Sequence, residues 1–356
     1  MPHPPTPRAA VQLAFAGAPP PEPAPDCPHG RAGRLPAPRP RVISVSKRTD
    51  IPAFYLPWLR QCCDAGWVDV PNPLYRHASD PCRALTHVSL WPEHVLAIVW
   101  WSKNYAVYLR LHEAFARYPV QYFHFTINPR RPDLAWLEPD VPSEEAALEQ
   151  LAALVRLREP ALVAWRYDPL VFWWRDGRPE SNWDAAFFAR MCEHLERLGV
   201  RRAFTSVADR YAKVERRVRR HAPGVRLRDP EPDELDAIVT TMRELAAAHG
   251  IQLFACTEQP LVERGLERGA CIDGRLLSAA ACQQASAAPA TDTKMPGREA
   301  CGCTLHTDIG DYQTQECGYA CIYCYANPNH RRYTRQQSQY TTPDVSTRQL
   351  LQEARR

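Results

Sequence analysis

No apolar run in this sequence of 356 residues reaches the ~18 that carry a helix across a bilayer. The strongest, VLAIVWW at 95–101, is closed off by His94 and Lys103, so no membrane partner is expected. An excess of one charge is also missing: 44 Lys and Arg face 40 Asp and Glu, a net charge of +4. That balance removes any global electrostatic reason to expect nucleic acid or an anionic surface as a partner, while leaving room for a local basic patch. No G-x-G-x-x-G follows an apolar run, which argues against a dinucleotide-binding sheet. The first forty residues lack the continuous apolar stretch of a secretory signal. They are rich in Pro, Ala and Arg and are expected to form a disordered extension, because clustered prolines would break the amphipathic helix of a transit peptide.

What the chain has in quantity is cysteine. The thirteen residues are odd in number and crowd toward the C-terminal third, unlike a disulfide framework spread along the chain. That usage points to a reducing, cytoplasmic compartment. Cys317, Cys321 and Cys324 in CGYACIYCYAN stand at C-x3-C-x2-C spacing, with Tyr323 just before the last. Three thiolates around a 4Fe-4S cluster leave one iron open to another ligand, whereas a redox-only site normally fills all four positions with Cys. The competing reading is a zinc knuckle, but zinc favours paired C-x2-C units and a fourth closing ligand, and only Cys321 and Cys324 make such a pair. Cys256, Cys271 and the C-x-C of Cys301 and Cys303 supply enough thiols for a second cluster or a zinc ion. Cys256 reads equally well as a small buried hydrophobe. Cys27, Cys62, Cys63, Cys82, Cys192 and Cys282 have no usable metal spacing.

Beyond Arg41 short apolar runs alternate with helical periods about six times, the pattern of a parallel sheet. Strands are expected at 42–46, 95–101, 120–127, 161–167, 202–207 and 251–256, with a further short one in WVDV at 67–70. Amphipathic helices are expected at 143–157, 182–199 and 233–250, with Ser143 and Asp233 as N-caps. The expected fold is α/β: a partial or full parallel β/α barrel of about six units with a cysteine-rich, cluster-binding tail. The divisions are a disordered extension at 1–40, a barrel domain at 41–277, a linker with the cysteine-rich segment at 278–330, and a polar tail at 331–356.

Several expected strands end in polar clusters, and in a barrel these converge on one rim. Arg48, with Lys47, Lys103 and Arg166, suits a carboxylate or phosphate. Asp50, Asp168 and Glu258 suit ribose hydroxyls or proton transfer. Taken singly, Asp50, Asp168 and Asp209 fit ordinary helix capping; taken as a set, the recurrence favours a site. The basic segment YAKVERRVRRH at 211–221 reads as a solvated face before a nucleic-acid surface, and the tryptophans as core and rim.

The segments RVISVSKRTDIPAFY, WWSKN, FTINP, WRYDP, CTE at 256–258, GACID at 269–273 and CGCTLHTDIGDYQT…CGYACIYCYAN resemble a bacterial family of unknown function over about 41–330. Its C-terminal cysteine cluster is similar to that of radical S-adenosylmethionine (radical SAM) enzymes. The resemblance implies a 4Fe-4S cluster on Cys317, Cys321 and Cys324 and S-adenosylmethionine at the open iron. It also implies a small-molecule or other substrate, and a reductase, flavodoxin or ferredoxin as electron donor. Ser46, Thr49, Asn104 and Tyr323 become cofactor contacts, and Arg48, Asp50, Lys103, Arg166, Asp168 and Glu258 the catalytic set. Asp308 and Tyr312 also match the family pattern. The chain differs from that pattern in carrying Tyr105 where Pro is usual, in having no G-G-E-like motif for the methionine amine, and in placing the triad after the barrel. That order requires the C-terminal loop to fold back over the rim. A cysteine-clamped binding module without radical chemistry, and a hydrolytic barrel using Asp50, Asp168 and Glu258, are the alternatives.

Overall fold

The computed structural model describes residues 40–72, 85–281, 301–312 and 314–327. Residues 1–39 of the expected extension, 282–294 of the linker, the tail at 331–356, and Cys27, Cys82 and Cys282 lie outside the described residues. In chain order the strands are β1 (Arg41–Val45), β2 (Trp67–Pro71), β3 (Leu85–Ser89), β4 (Val95–Ser102), β5 (Gln121–Thr126), β6 (Val163–Leu170) and β7 (Phe172–Arg175). There follow β8 (Arg178–Ser181), β9 (Arg202–Val207), β10 (Val225–Leu227), β11 (Gln252–Ala255), β12 (Glu267–Arg268) and β13 (His306–Asp308).

Eight of these form one wholly parallel sheet in the order β12-β11-β9-β6-β5-β4-β1-β13. From β1 to β12 spatial order follows chain order, and the last strand returns beside the first. All six long apolar runs lie in this sheet; the two additional strands, β12 and β13, are short and polar. The expected boundary at 277 does not separate the sheet, because β13 comes from beyond it. WVDV does not join the parallel sheet: β2 pairs with β3 in an antiparallel ribbon. A second antiparallel unit, β10-β7-β8, is inserted after β6.

The main strands read as nearly continuous apolar runs because both faces are covered. In β4 every residue from Val95 to Trp100 is buried. One face carries Ile43, Ile98, Trp100, Phe123 and Trp165 against the helices, and the other carries Val42, Val99, Tyr122, Ala164 and Phe204 in a separate core. The helix Glu144–Leu157 starts where Ser143 accepts from the Ala146 N–H at 3.2 Å. The helix Ala185–Leu198 starts at Asp184, which accepts from Phe187 N–H at 2.8 Å, and stops at Gly199. The helix Pro232–Ala248 corrects the expected cap. Its N-cap is Glu231, because Pro232 presets the first helical φ and Glu234 accepts from the Glu231 N–H at 3.3 Å. Asp233 lies inside the first turn.

The two outer strands β12 and β13 are not paired with each other. Their flanks nevertheless touch: Thr304 N–H donates to the Ile272 carbonyl at 2.9 Å. Among the described residues no helix is long and apolar enough to cross a membrane.

Candidate functional site

A cavity of about 590 Å³ opens at the carboxyl ends of the parallel strands, within the usual size of a small-molecule site. Its walls come from the segments after β1, β4, β5, β6, β9 and β11 and from the cysteine loop at 317–326. Arg48, Asp50, Lys103, Arg166, Asp168 and Glu258 all line it, as do Ser46, Thr49 and Tyr323.

Asp308 shapes the first wall. Its carboxylate accepts from Ser44 Oγ at 2.8 Å, Ser46 Oγ at 2.6 Å and Lys47 N–H at 2.7 Å, tying the turn after β1 to β13. Arg48 lies 3.8 Å from the same carboxylate and donates to the Gly310 carbonyl at 3.0 Å. Gly310 must be glycine here, since a Cβ would sit 2.0 Å from Ser46 Oγ. Asp50 caps the helix Ile51–Phe54 through Ala53 N–H at 3.0 Å and also accepts from Ser102 Oγ and Lys103 N–H. Burial pushes its carboxyl up to about 7 despite those donors. Asn104 accepts from Ala106 N–H at 3.0 Å, a local turn contact. Thr49 Oγ1 is buried without a hydrogen-bond partner among the described residues.

Two buried ion pairs lie at the cavity wall, linked by Asn128 Nδ2, which donates to Glu138 and to the Asp168 carbonyl. Lys103 Nζ donates to Glu138 Oε1 at 2.9 Å, and the same oxygen accepts from Asn128 at 2.7 Å and from the Tyr323 hydroxyl. Burial works against ionisation of Glu138, yet Lys103 and these donors outweigh it and hold the carboxyl below the usual range. Arg166 Nε and Nη2 both reach Asp168 Oδ2, at 3.0 and 2.6 Å, while Ser206 donates to the other oxygen. Asp168 therefore sits within β6 as an ion-pair partner, not at a helix start. Asp209 also caps no helix, because the N-cap of the helix Ala212–His221 is Tyr211. At the rim, burial and the nearby Asp209 carboxylate raise the Glu258 carboxyl to about 8.

The triad loop is pinned from several sides. Ile322 N–H donates to the Leu137 carbonyl at 2.9 Å, and Tyr55 donates to the Glu316 carbonyl at 2.7 Å. Arg217 Nη1 donates to the Ile322 and Cys324 carbonyls at 3.0 and 2.7 Å. Ala320 adopts φ 50°, turning the chain sharply between Cys317 and Cys321. Cys317, Cys321 and Cys324 all face the cavity, and the Asp50 and Tyr319 N–H groups point at the Cys317 sulfur. Lys103 lies close enough to Cys321 to favour its thiolate, although burial dominates and raises that thiol. These donors suit a thiolate cluster ligand, whose charge is stabilised by N–H and cationic neighbours.

The other four flagged cysteines are also together. Cys256 and Cys271 bring their sulfurs to 2.8 Å, and Arg166 Nη1 donates to Cys271 Sγ at 3.3 Å. Among the described residues no group of three Cys, His, Asp or Glu side chains forms a ready single-ion site. Cys62, Cys63 and Cys192 are buried in the apolar core instead.

Sequence reasoning missed Glu138 and Arg217. Glu138 lies in a connection with no motif. Arg217 was read with a solvated basic face, yet it is buried between Val214 and Val218 on the inward stripe of its helix; that spacing was the available signal.

No curated protein matches the chain. Among solved structures it is similar to the carboxyl transferase domain of Rhizobium etli pyruvate carboxylase, at 10% identity and a TM-score of 0.26. That match covers 89% of this chain, which spans 53% of the other. A family model also matches the chain. It matches residues 42–326, from β1 through the cysteine loop, and on that match the chain belongs to DUF1848, a domain-of-unknown-function family.

Proposed function

We propose that this protein is an iron-sulfur enzyme of radical SAM type, built on a β/α barrel that closes between β12 and β13. The observation that carries the reading is the return of the C-x3-C-x2-C loop onto the strand-end cavity, where its three thiols face the same space as Arg166, Lys103 and Glu258. The chain-order sheet, with its last strand beside its first, supports barrel closure.

Cys317, Cys321 and Cys324 would hold a 4Fe-4S cluster. Such a cluster, when bound, supplies one electron for reductive cleavage of S-adenosylmethionine chelated at the iron that has no thiolate. The chain's own residues do the rest. Arg217, Tyr55 and the Leu137 carbonyl fix the loop. Thr49 presents an unpartnered hydroxyl for a polar ligand. Lys103 and Arg166 keep their cations in the cavity through Glu138 and Asp168, and Glu258 retains a proton near neutral pH for transfer at the rim. The enclosing walls exclude water from the reacting groups.

Anaerobic reconstitution followed by iron and sulfide analysis tests the assignment. The triad should account for about four irons with matching sulfide, lost in the Cys317→Ala/Cys321→Ala/Cys324→Ala variant. Dithionite-reduced protein should then release methionine from S-adenosylmethionine. Zinc without sulfide at the triad would replace this reading with a metal-clamped binding module.

A further inference from the structure

Four thiols from three segments meet where the two ends of the parallel sheet approach. Cys256 follows β11, Cys271 follows β12, and Cys301 and Cys303 precede β13. The 2.8 Å between Cys256 and Cys271 sulfurs is far longer than a disulfide of ~2.05 Å. Cys271 is in turn beside Cys303, and Cys303 beside Cys301, so the contacts run through all four. Donors are aimed at this sulfur chain. Ile272 N–H reaches Cys303 Sγ at 3.4 Å and Arg166 Nη1 reaches Cys271 Sγ at 3.3 Å. Lys47 adds positive charge near Cys301 and Cys303.

Ordinary core packing does not account for this arrangement. Cys271 and Cys303 are buried in the second apolar core with Cys256 and Cys301 packed against it; what sets them apart from Cys62, Cys63 and Cys192 in the first core is the run of sulfur contacts and the Arg166 and Ile272 donors aimed at it. Arg166, whose charge Asp168 already offsets, still donates to Cys271 Sγ, and thiolates there would be stabilised by it and by Lys47. The same four residues also span the unpaired gap between β12 and β13. The Thr304 to Ile272 backbone bond is adjacent to that gap, and a Cβ on Gly302 would lie 3.5 Å from Ala270 Cβ and 3.6 Å from the Gly269 carbonyl oxygen, so the approach is close.

We propose that Cys256, Cys271, Cys301 and Cys303 form a second metal centre, separate from the triad, that joins the β13 edge to the β11 and β12 edge through four thiolates. A four-thiolate donor set takes either one tetrahedral zinc ion or a 4Fe-4S cluster. In both cases every protein-facing position is filled, so the centre braces the fold or conducts electrons and does not bind substrate. Binding releases the thiol protons and draws Cys256 and Cys301 toward a common point. The centre does not depend on the assignment of the triad.

The test uses full-length protein, purified without oxygen, in three forms: wild type, the triad variant Cys317→Ala/Cys321→Ala/Cys324→Ala, and Cys271→Ser/Cys303→Ser. Metal and acid-labile sulfide are measured per chain. The triad variant should retain one zinc, or about four irons with sulfide, and Cys271→Ser/Cys303→Ser should lose that complement while keeping the triad's. X-ray absorption at the zinc edge showing four sulfurs at ~2.3 Å identifies the ion; sulfide identifies the cluster. Cys301→Ala, at a half-buried position, guards against loss of the whole fold and should weaken metal retention against a chelator at least tenfold. A folded triad variant without metal, a Cys256–Cys271 disulfide in the anaerobic protein, or metal indifferent to Cys271→Ser/Cys303→Ser would each overturn the proposal. Loss of the triad's complement alone would refute only the first assignment.

Discussion

Glu138 stays ionised although it is buried, because one oxygen gathers Lys103, Asn128 and Tyr323. Its folded pKa lies below the usual 4.5, so the stability it contributes is present above that value and is lost as pH falls through the folded one. Glu138→Gln should therefore flatten the acid limb of a thermal-midpoint profile below about pH 5. It should also cost about 3 kcal/mol at pH 7, since it leaves Lys103 buried without its counter-charge; urea unfolding measures that loss. Glu258 behaves oppositely. With a folded value of about 8, it is protonated at pH 6, and an infrared carboxylic-acid band absent from Glu258→Gln should disappear as pH rises through that value; a band missing at pH 6 would contradict the assignment. The cysteines and strand-end charges were legible from local spacing. Glu138 was not, because its partners Lys103 and Tyr323 lie far away in the chain; for Arg217 the inward spacing with Val214 and Val218 was readable, but the carbonyls it binds lie far along the chain.

At the level of elements, the long strands and the three main helices could be read because apolar period and caps agree over many residues. The two-residue β12 and three-residue β13 could not, since period-2 alternation needs about four residues to register and both segments are polar. Asp233 misled because Pro232 and the Glu231–Glu234 box moved the cap two residues upstream. The chain just after β12 packs tightly on β11 and β9. Gly269→Ala would force its Cβ against Phe254 and Phe204, and the expected result is a loss of about 1–3 kcal/mol from overpacking, read by thermal unfolding. Leu154→Ala, in the fully buried stripe of the helix Glu144–Leu157, should cost about 2–5 kcal/mol without changing metal content. Those two variants separate loss of packing in the helix layer from overpacking at the end of β12.

For the whole molecule, the parallel sheet supplies a rim, and the segment that returns as β13 continues into the loop that covers it. The same excursion thus provides a strand beside β1, the Asp308 that organises the first strand end, and the three thiols over the cavity. The triad follows the parallel sheet in the chain, and because β13 lies next to β1 its loop comes over the strand ends beside the first strand. The decisive measurement is electron paramagnetic resonance of anaerobically reconstituted, dithionite-reduced protein, with and without S-adenosylmethionine, repeated on the triad variant. The account predicts a reduced 4Fe-4S signal with a component that shifts on adding S-adenosylmethionine, and that component is absent from the triad variant. A signal that ignores S-adenosylmethionine, or an S-adenosylmethionine-responsive component that survives without the triad thiols, would contradict it.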